Sequence, residues 1–317
     1  MSFLISVIIP AYNVENFIRK AIISSLEQKE VAEVIIVDDG SSDNTMELIK
    51  ELQKTNSKVK IFTHSNHINK GRSATRNLGI KKALYSYIAF LDADDYYLKD
   101  RFTKDKNIFD NDKTIEGVYN AVGFHYYKTV SETEKNQNKI STISKQLIPE
   151  ELFDAVISSK YGYLHLNGLT MKKSIFDKIG YFDESLLVAE DSNIIYKMAL
   201  KCKLLPGSID VPLALRGIHD NNIFTKNDLY KIYNLKLYES IIYWASDNKV
   251  SINHIDTTLK YLWIFKYKLN EGLIKNTYYW AKLFLREPVL LFSYLSIKYF
   301  PLIRLRQVFF SFFYKNK

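Results

Sequence analysis

Over the first hundred residues the apolar positions switch repeatedly between strand and helix spacing. Ile5-Ser6-Val7-Ile8-Ile9 is a short apolar run closed by Pro10, the pattern of a buried strand. In residues 14–28, Phe17, Ile18, Ala21, Ile22 and Leu26 recur at helical intervals. Residues 33–37 predict a second buried strand, stopped by Asp38-Asp39-Gly40-Ser41-Ser42-Asp43. A helix is predicted over 44–54, with Met46, Leu48, Ile49 and Leu52 as its apolar stripe and Asp43 as its cap. Val59-Lys60-Ile61-Phe62 reads as a third strand, 71–84 as another helix and Tyr87-Ile88-Ala89-Phe90-Leu91 as a fourth strand.

This alternation, in steps of about 30 residues, predicts an α/β fold built on a parallel sheet. In such sheets ligands bind beyond the carboxyl ends of the strands. Three polar clusters fall there: Tyr12-Asn13, Asp38-Asp39 and Asp92-Ala93-Asp94-Asp95. Residues 130–146 are polar and read as an exposed loop or insertion. An ordered stretch returns over 166–199, with Asp191-Ser192-Asn193 as a helix start, and beyond about residue 225 the chain reads as helices. The expected division is a body of residues 1–224 and a helical C-terminal region of 225–317.

Composition narrows the class. The 317 residues, 47% hydrophobic and 25% charged, exclude a disordered or collagen-like chain. One cysteine, Cys202, excludes a disulfide framework and a cysteine-based zinc site, and fits a reducing compartment. No basic residue precedes the first apolar run, so no signal peptide is expected, and no run of 18 apolar residues marks a membrane span. The net charge of +9 is concentrated: residues 225–317 hold 15 Lys/Arg against 6 Asp/Glu, with 22 of the 45 aromatic residues, while the body is neutral.

Asp92-Ala93-Asp94-Asp95 sets three carboxylates within four residues. Unless paired they repel, and Mg²⁺ or Mn²⁺ commonly sits between such carboxylates and substrate phosphates. A solvated turn with capping aspartates is the plainer reading of a lone Asp-X-Asp; the position after an apolar strand favours a site. Neither a P-loop nor a Gly-X-Gly-X-X-Gly fingerprint is present, so bound phosphates would need a metal and basic side chains. Arg76, near the start of a helix, could be such a side chain, although periodicity alone makes it a surface residue.

Ser6-Val7-Ile8-Ile9-Pro10-Ala11-Tyr12-Asn13, Val37-Asp38-Asp39-Gly40-Ser41-Ser42-Asp43, Gly71-Arg72-Ser73-Ala74-Thr75-Arg76-Asn77 and Leu91-Asp92-Ala93-Asp94-Asp95 follow in order, then Gly180-Tyr181-Phe182-Asp183-Glu184 and Glu190-Asp191. Over roughly residues 4–220 the chain resembles the inverting family 2 glycosyltransferases. The resemblance implies the GT-A fold, a Rossmann-like mixed central sheet flanked by helices, here with a C-terminal helical extension. It implies that Pro10, Ala11 and Tyr12 line the base and ribose of a nucleotide, usually uridine, and that Asp39 accepts from the uracil ring. Arg76 would face the base or diphosphate. Asp94, assisted by Asp92 or Asp95, would hold Mn²⁺ or Mg²⁺, the split of metal and ribose between these carboxylates staying open. Glu190-Asp191 matches the position of the catalytic base, with Asp191 also a helix N-cap by residue type. His219, in Arg216-Gly217-Ile218-His219, would complete the metal shell or touch the diphosphate; His64, His67, His125, His165 and His254 carry no motif and read as structural.

The Gln-X-X-Arg-Trp motif of processive synthases is absent, which points to single additions. The expected activity is metal-dependent, inverting transfer from a nucleotide-diphosphate sugar, foremost a UDP-sugar, to a glycan or lipid-linked glycan in surface-polysaccharide assembly. The basic aromatic tail suits an anionic membrane surface on the cytoplasmic side, or packing on the body or in a homodimer. Nucleic acid is not an expected partner. A nucleotide-sugar pyrophosphorylase and a catalytically degenerate sugar-nucleotide-binding scaffold are the rival readings.

Overall fold

Four parallel strands form one half of the central sheet. β1 (Ile5–Ala11), β2 (Val31–Asp38), β3 (Val59–Thr63) and β4 (Tyr87–Phe90) lie in the spatial order β3-β2-β1-β4 in this computed structural model. It describes residues 2–131, 140–220, 222, 227–304, 306–309 and 312. Positions 132–139 of the expected polar loop, and 310–311 and 313–317 of the tail, lie outside the described residues.

Beyond β4 the sheet changes direction. β8 (Leu169–Lys172) pairs antiparallel with β4, β6 (Gly117–Tyr119) antiparallel with β8, and β9 (Leu204–Pro206) parallel with β6. The sheet is therefore mixed and seven-stranded among the described residues, in the order β3-β2-β1-β4-β8-β6-β9. Its apolar runs are buried: Ile5, Val7, Ile8, Ile9, Val34, Ile35, Ile36, Ala89 and Phe90 are all solvent-inaccessible. Helices cover both faces, as a parallel sheet requires.

The crossovers α1 (Ile18–Leu26), α2 (Thr45–Thr55) and α3 (Arg72–Lys82) match the periodic stretches, with one informative shift. α1 begins at Ile18, not near residue 14. Phe17 N and Ile18 N both donate to Val14 O, at 2.9 and 3.0 Å, making a turn, while Val14 N and Glu15 N donate to Thr45 Oγ1 and Asp43 Oδ2 at 2.9 and 3.1 Å. Val14 and Glu15 are thus tied to the Asp43–Thr45 segment at the start of α2, and the regular helix begins only after this turn. Asp43 also accepts from Thr45 N at 3.0 Å, so it serves the start of α2, although Asn44 holds the cap position.

A small second sheet, β5-β10-β7, comprises β5 (Tyr96–Tyr97), β10 (Ala214–Ile218) and β7 (Val122–Tyr126). It lays β10 against the acidic turn that follows β4. Beneath that turn lies a fully buried polar network. Arg101 donates to Asp105 Oδ2 at 2.8 Å, and through Nε and Nη2 to Asn167 O at 3.2 and 3.1 Å. Asp105 also accepts from Asn120 Nδ2 at 2.9 Å and Thr170 Oγ1 at 2.5 Å. Asp105 sits in α4 (Thr103–Asn111), and Asn167 in a 3₁₀ turn, Leu166–Gly168.

The chain divides into two compact units, Met1–Asn227 and Asp228–Lys317. The second is helical, with α8 (Asn227–Asp247, which begins at the boundary), α9 (Ile252–Lys268), α10 (Leu273–Arg286) and short helices that include α11 (Pro288–Leu291) and α12 (Tyr294–Lys298). Ile241, Ile242, Leu259, Leu262, Phe284, Leu290 and Leu295 form its dry interior. No helix among the described residues is long and apolar enough to cross a membrane.

The buried Arg101–Asp105 pair is testable. Asp105→Leu strands a guanidinium in the interior and is expected to lower stability by about 3–5 kcal/mol, whereas Arg101→Met/Asp105→Leu should recover most of that loss. Denaturant unfolding of the three proteins checks the order.

Candidate active site

One arginine joins two distant parts of the chain. Arg76 lies in the second turn of α3 and is 1% exposed. Its Nη2 donates to Asp92 Oδ1 at 2.7 Å and its Nη1 to Glu190 Oε1 at 2.8 Å. Glu190 opens α7 (Glu190–Lys201), behind Ala189 at φ 65°. Arg72, one turn earlier on the same face of α3, brings its Nε to 3.3 Å from Glu190 Oε1. Burial alone would lower the Arg76 pKa, but Asp92 and Glu190 overturn this and keep it charged. Burial would raise Asp92, and Arg76 beside it instead brings that carboxyl down to about 2. For Glu190 burial prevails, pushing its pKa above the ordinary value despite Arg72 and Arg76.

The other two aspartates of the acidic turn have different surroundings. Asp95 is buried: Oδ1 accepts from Gly217 N at 2.7 Å and Oδ2 from Asn167 Nδ2. Burial, then the charges of Asp94 and Asp92, push its pKa well above the usual carboxylate range. Asn167 holds the other end of the turn too, accepting from Asp92 N at 3.2 Å. Asp94 is partly exposed and turns Oδ2 toward His219 Nε2 at 2.9 Å and Asn222 Nδ2 at 3.2 Å. A Cβ on Gly217 would meet Asp94 O at 2.3 Å, so only glycine lets β10 approach this closely. The His219 ring stacks on Phe17 with centroids 4.7 Å apart, and its Nδ1 is buried with no hydrogen-bond partner among the described residues.

The nucleotide-facing positions of the sequence reading gather at the ends of β1 and β2. Pro10 and Ala11 close β1, and Tyr12 is 49% exposed just beyond. Asp39 N donates to Ala11 O at 2.8 Å, tying the two strand ends. The Asp39 carboxylate is buried and accepts from Lys70 N at 2.7 Å and Gly71 N at 2.9 Å, with His64 Nε2 at 3.5 Å. Gly71 is the N-cap of α3, so this helix links the Asp39 group to the Arg76 group.

Asp191 is the second residue of α7, and Ala189 occupies the cap position. Its Oδ1 accepts from Ser192 N at 2.7 Å. His165, silent in the sequence, enters here: it offers a ring nitrogen that lies within 4.8 Å of carboxylate oxygens of Asp92 and Asp95. Burial, then Arg216, lowers its pKa, while Asp92 and Asp191 pull the other way. Asn167 and Arg72 were also missed. Arg72 and Arg76 four apart on a helix were a readable signal; His165 and Asn167, set among Leu164, Leu166 and Leu169, gave none.

A hard divalent cation fits these donors. Two ligands of an octahedral Mg²⁺-like ion, each at about 2.1 Å and at right angles, lie about 3 Å apart. Asp94 Oδ2 and His219 Nε2 stand at 2.9 Å. Asp92, Asp95 and His165 form a second oxygen-rich set, in which both Asp95 oxygens already accept protein hydrogen bonds.

The sequence pattern described as Glycosyl transferase family 2 matches residues 6–180. An uncharacterized glycosyltransferase of Haemophilus influenzae is 35% identical over 145 residues, covering 45% of this chain and 54% of that protein. The chain spans about half the length of the first curated relatives it matches, at 54% of each. The S. aureus TarS 1–349 structure in complex with UDP-GlcNAc aligns with a TM-score of 0.62 at 19% identity, covering 84% of this chain and 73% of that one. The mannosyltransferase PcManGT of Pyrobaculum calidifontis, in complex with GDP-Man and Mn²⁺, aligns at 0.52 and 15% identity, covering 94% and 85%.

The two arginines facing Glu190 should differ in weight. Arg76→Met leaves two carboxylates without their buried cation and is expected to destabilise by about 3–5 kcal/mol. Arg72, with its side chain 38% exposed, should cost less than about 1 kcal/mol when changed to Met. Urea unfolding midpoints of both variants test that order.

Proposed function

The chain belongs to glycosyl transferase family 2, and on that footing we propose that it moves a sugar from a nucleoside-diphosphate donor, a UDP-sugar first, to a hydroxyl of a glycan or lipid-linked glycan. The observation that carries this reading is the Arg76 bridge, which sets the acidic strand end at Asp92 beside the helix start that bears Glu190 and Asp191. Donor and base would thereby share one frame.

Asp39 would accept from the uracil N–H. A carboxylate has about four lone-pair positions, and the backbone of residues 70–71 engages one on each oxygen. Pro10, Ala11 and Tyr12 would line the base and ribose, with Asp92 toward the ribose or phosphates. Asp94 and His219 would hold the Mn²⁺ or Mg²⁺, with Asp95 braced behind them. That cation, when bound, would offset charge on the diphosphate.

Asp191 would act as the general base, its oxygen taking the acceptor hydroxyl proton as the hydroxyl oxygen attacks the anomeric carbon. The bond to the nucleotide diphosphate breaks on the opposite face, inverting the configuration. A helix N-terminus favours the ionised carboxylate this role needs. Glu190, bound by two arginines, would orient the turn that presents Asp191. We place the enzyme on the cytoplasmic side, peripheral to the inner face of the membrane, in surface-polysaccharide assembly. Residues 1–224 would form the transferase and 225–317 the region that meets the membrane or a second copy.

Calorimetric titration with a panel of UDP-sugars, in Mn²⁺ and in chelator, tests the donor reading. One sugar nucleotide should bind in a metal-dependent way, and Asp94→Asn should abolish that binding; no binding by any of the panel removes the UDP-sugar assignment. Asp191→Asn should keep donor affinity within about threefold and lower transfer by at least about 100-fold. Normal turnover in that variant would reject Asp191 as the base.

A further inference from the structure

α10 has two apolar faces, and among the described residues only one is covered. On the inner face Asn276, Leu283 and Phe284 are buried at 3%, 1% and 0% exposure. On the outer face Ile274, Tyr278 and Leu285, four and seven residues apart and so on one side of the helix, are 87%, 74% and 64% exposed. Val289 and Phe292 carry exposed apolar surface on into the next segment, at 70% and 87%. An ordinary surface helix points polar residues outward, so this pattern calls for a covering phase.

The charges identify that phase. Lys275 and Lys282, seven residues apart, are exposed along one flank of the Ile274–Tyr278–Leu285 stripe. From residue 273 to 298 four basic residues stand against Glu287 alone. Lysine is depleted at protein–protein interfaces, whereas an apolar stripe bordered by lysines is what a helix lying in a bilayer's headgroup region presents. At 14 residues α10 is too short to span a bilayer, and immersion of one face is the mode open to it.

We infer that the outer face of α10 is a docking surface for an anionic lipid bilayer. Ile274, Tyr278 and Leu285 enter the acyl boundary, and Lys275 and Lys282 meet acidic headgroups. This deepens the proposed placement at the membrane face and rests on it. It does not depend on the identity of the sugar donor.

Cosedimentation of the full chain with vesicles of phosphatidylglycerol and phosphatidylcholine tests it, with pure phosphatidylcholine vesicles and 0.5 M salt as controls. Binding is expected to the mixed vesicles alone and to fall steeply with salt. Lys275→Gln/Lys282→Gln should weaken partitioning about thirtyfold, and Ile274→Glu/Leu285→Glu should reduce it to the level of the pure phosphatidylcholine control. Both variants alter exposed side chains, so their thermal midpoints and UDP-sugar titrations should match the parent; that match separates failure of docking from failure of the donor site. Absence of vesicle binding by the parent overturns the inference. So does a parent that dimerises in sedimentation equilibrium, loses the dimer with Ile274→Glu/Leu285→Glu and ignores vesicles, which would make this face a contact between copies.

Discussion

A guanidinium with no access to water has to be neutralised where it lies, and Arg76 is such a group. Its two carboxylate partners come from positions 92 and 190, nearly a hundred residues apart. Because the planar fork fixes both bond directions, the end of β4 and the start of α7 are referred to a single side chain on α3. A lysine, a point charge with three rotatable donors and no planar fork, would not fix the two bond directions in this way. Glu190 is buried in this fork, while Asp191, the next residue, is only partly buried at the helix start.

The acidic turn needs a second kind of support. Three neighbouring carboxylates cannot all be charged and equally buried, and the fold separates them by surroundings. Asp92 is held ionised by Arg76, Asp95 is sunk onto Asn167 and Gly217 where burial pushes its pKa up, and Asp94 keeps contact with solvent, His219 and Asn222. Asn167 touches both ends of the turn, and its carbonyl is in turn held by Arg101. The donor set is thus backed by buried polar bonds that reach down to α4.

The alternation of strand and helix was legible because β1, β2 and β4 are buried on both faces and read as largely apolar runs, whereas β3, at the edge of the sheet, is only partly buried. The half beyond β4 was not: β6, β8 and β9 are three or four residues long, too short to show a period. The polar ends of β1, β2 and β4 could be placed from the sequence, since a sharp change from apolar to polar residues marks each one, acidic after β2 and β4. Arg76 was harder. Helix periodicity cannot distinguish a cation facing water from one facing a buried carboxylate contributed a hundred residues later. The same limit hid His165, whose neighbours Asp92 and Asp95 are remote in sequence. The family match ends at residue 180, so Glu190, Asp191 and His219 stand beyond it, tied to the matched segment by the bonds of Arg76 and Asp94.

Asp39 receives its two closest hydrogen bonds from the backbone of Lys70 and Gly71, with no side chain of either residue involved. For drift among descendants this divides two kinds of change. A substitution at position 70 leaves the donating N–H in place and passes unnoticed by Asp39, unless it introduces proline. A deletion anywhere between β3 and α3 draws both donors away together, and with them the cap of the helix that carries Arg76. Length, more than residue identity, is what this connecting segment has to conserve.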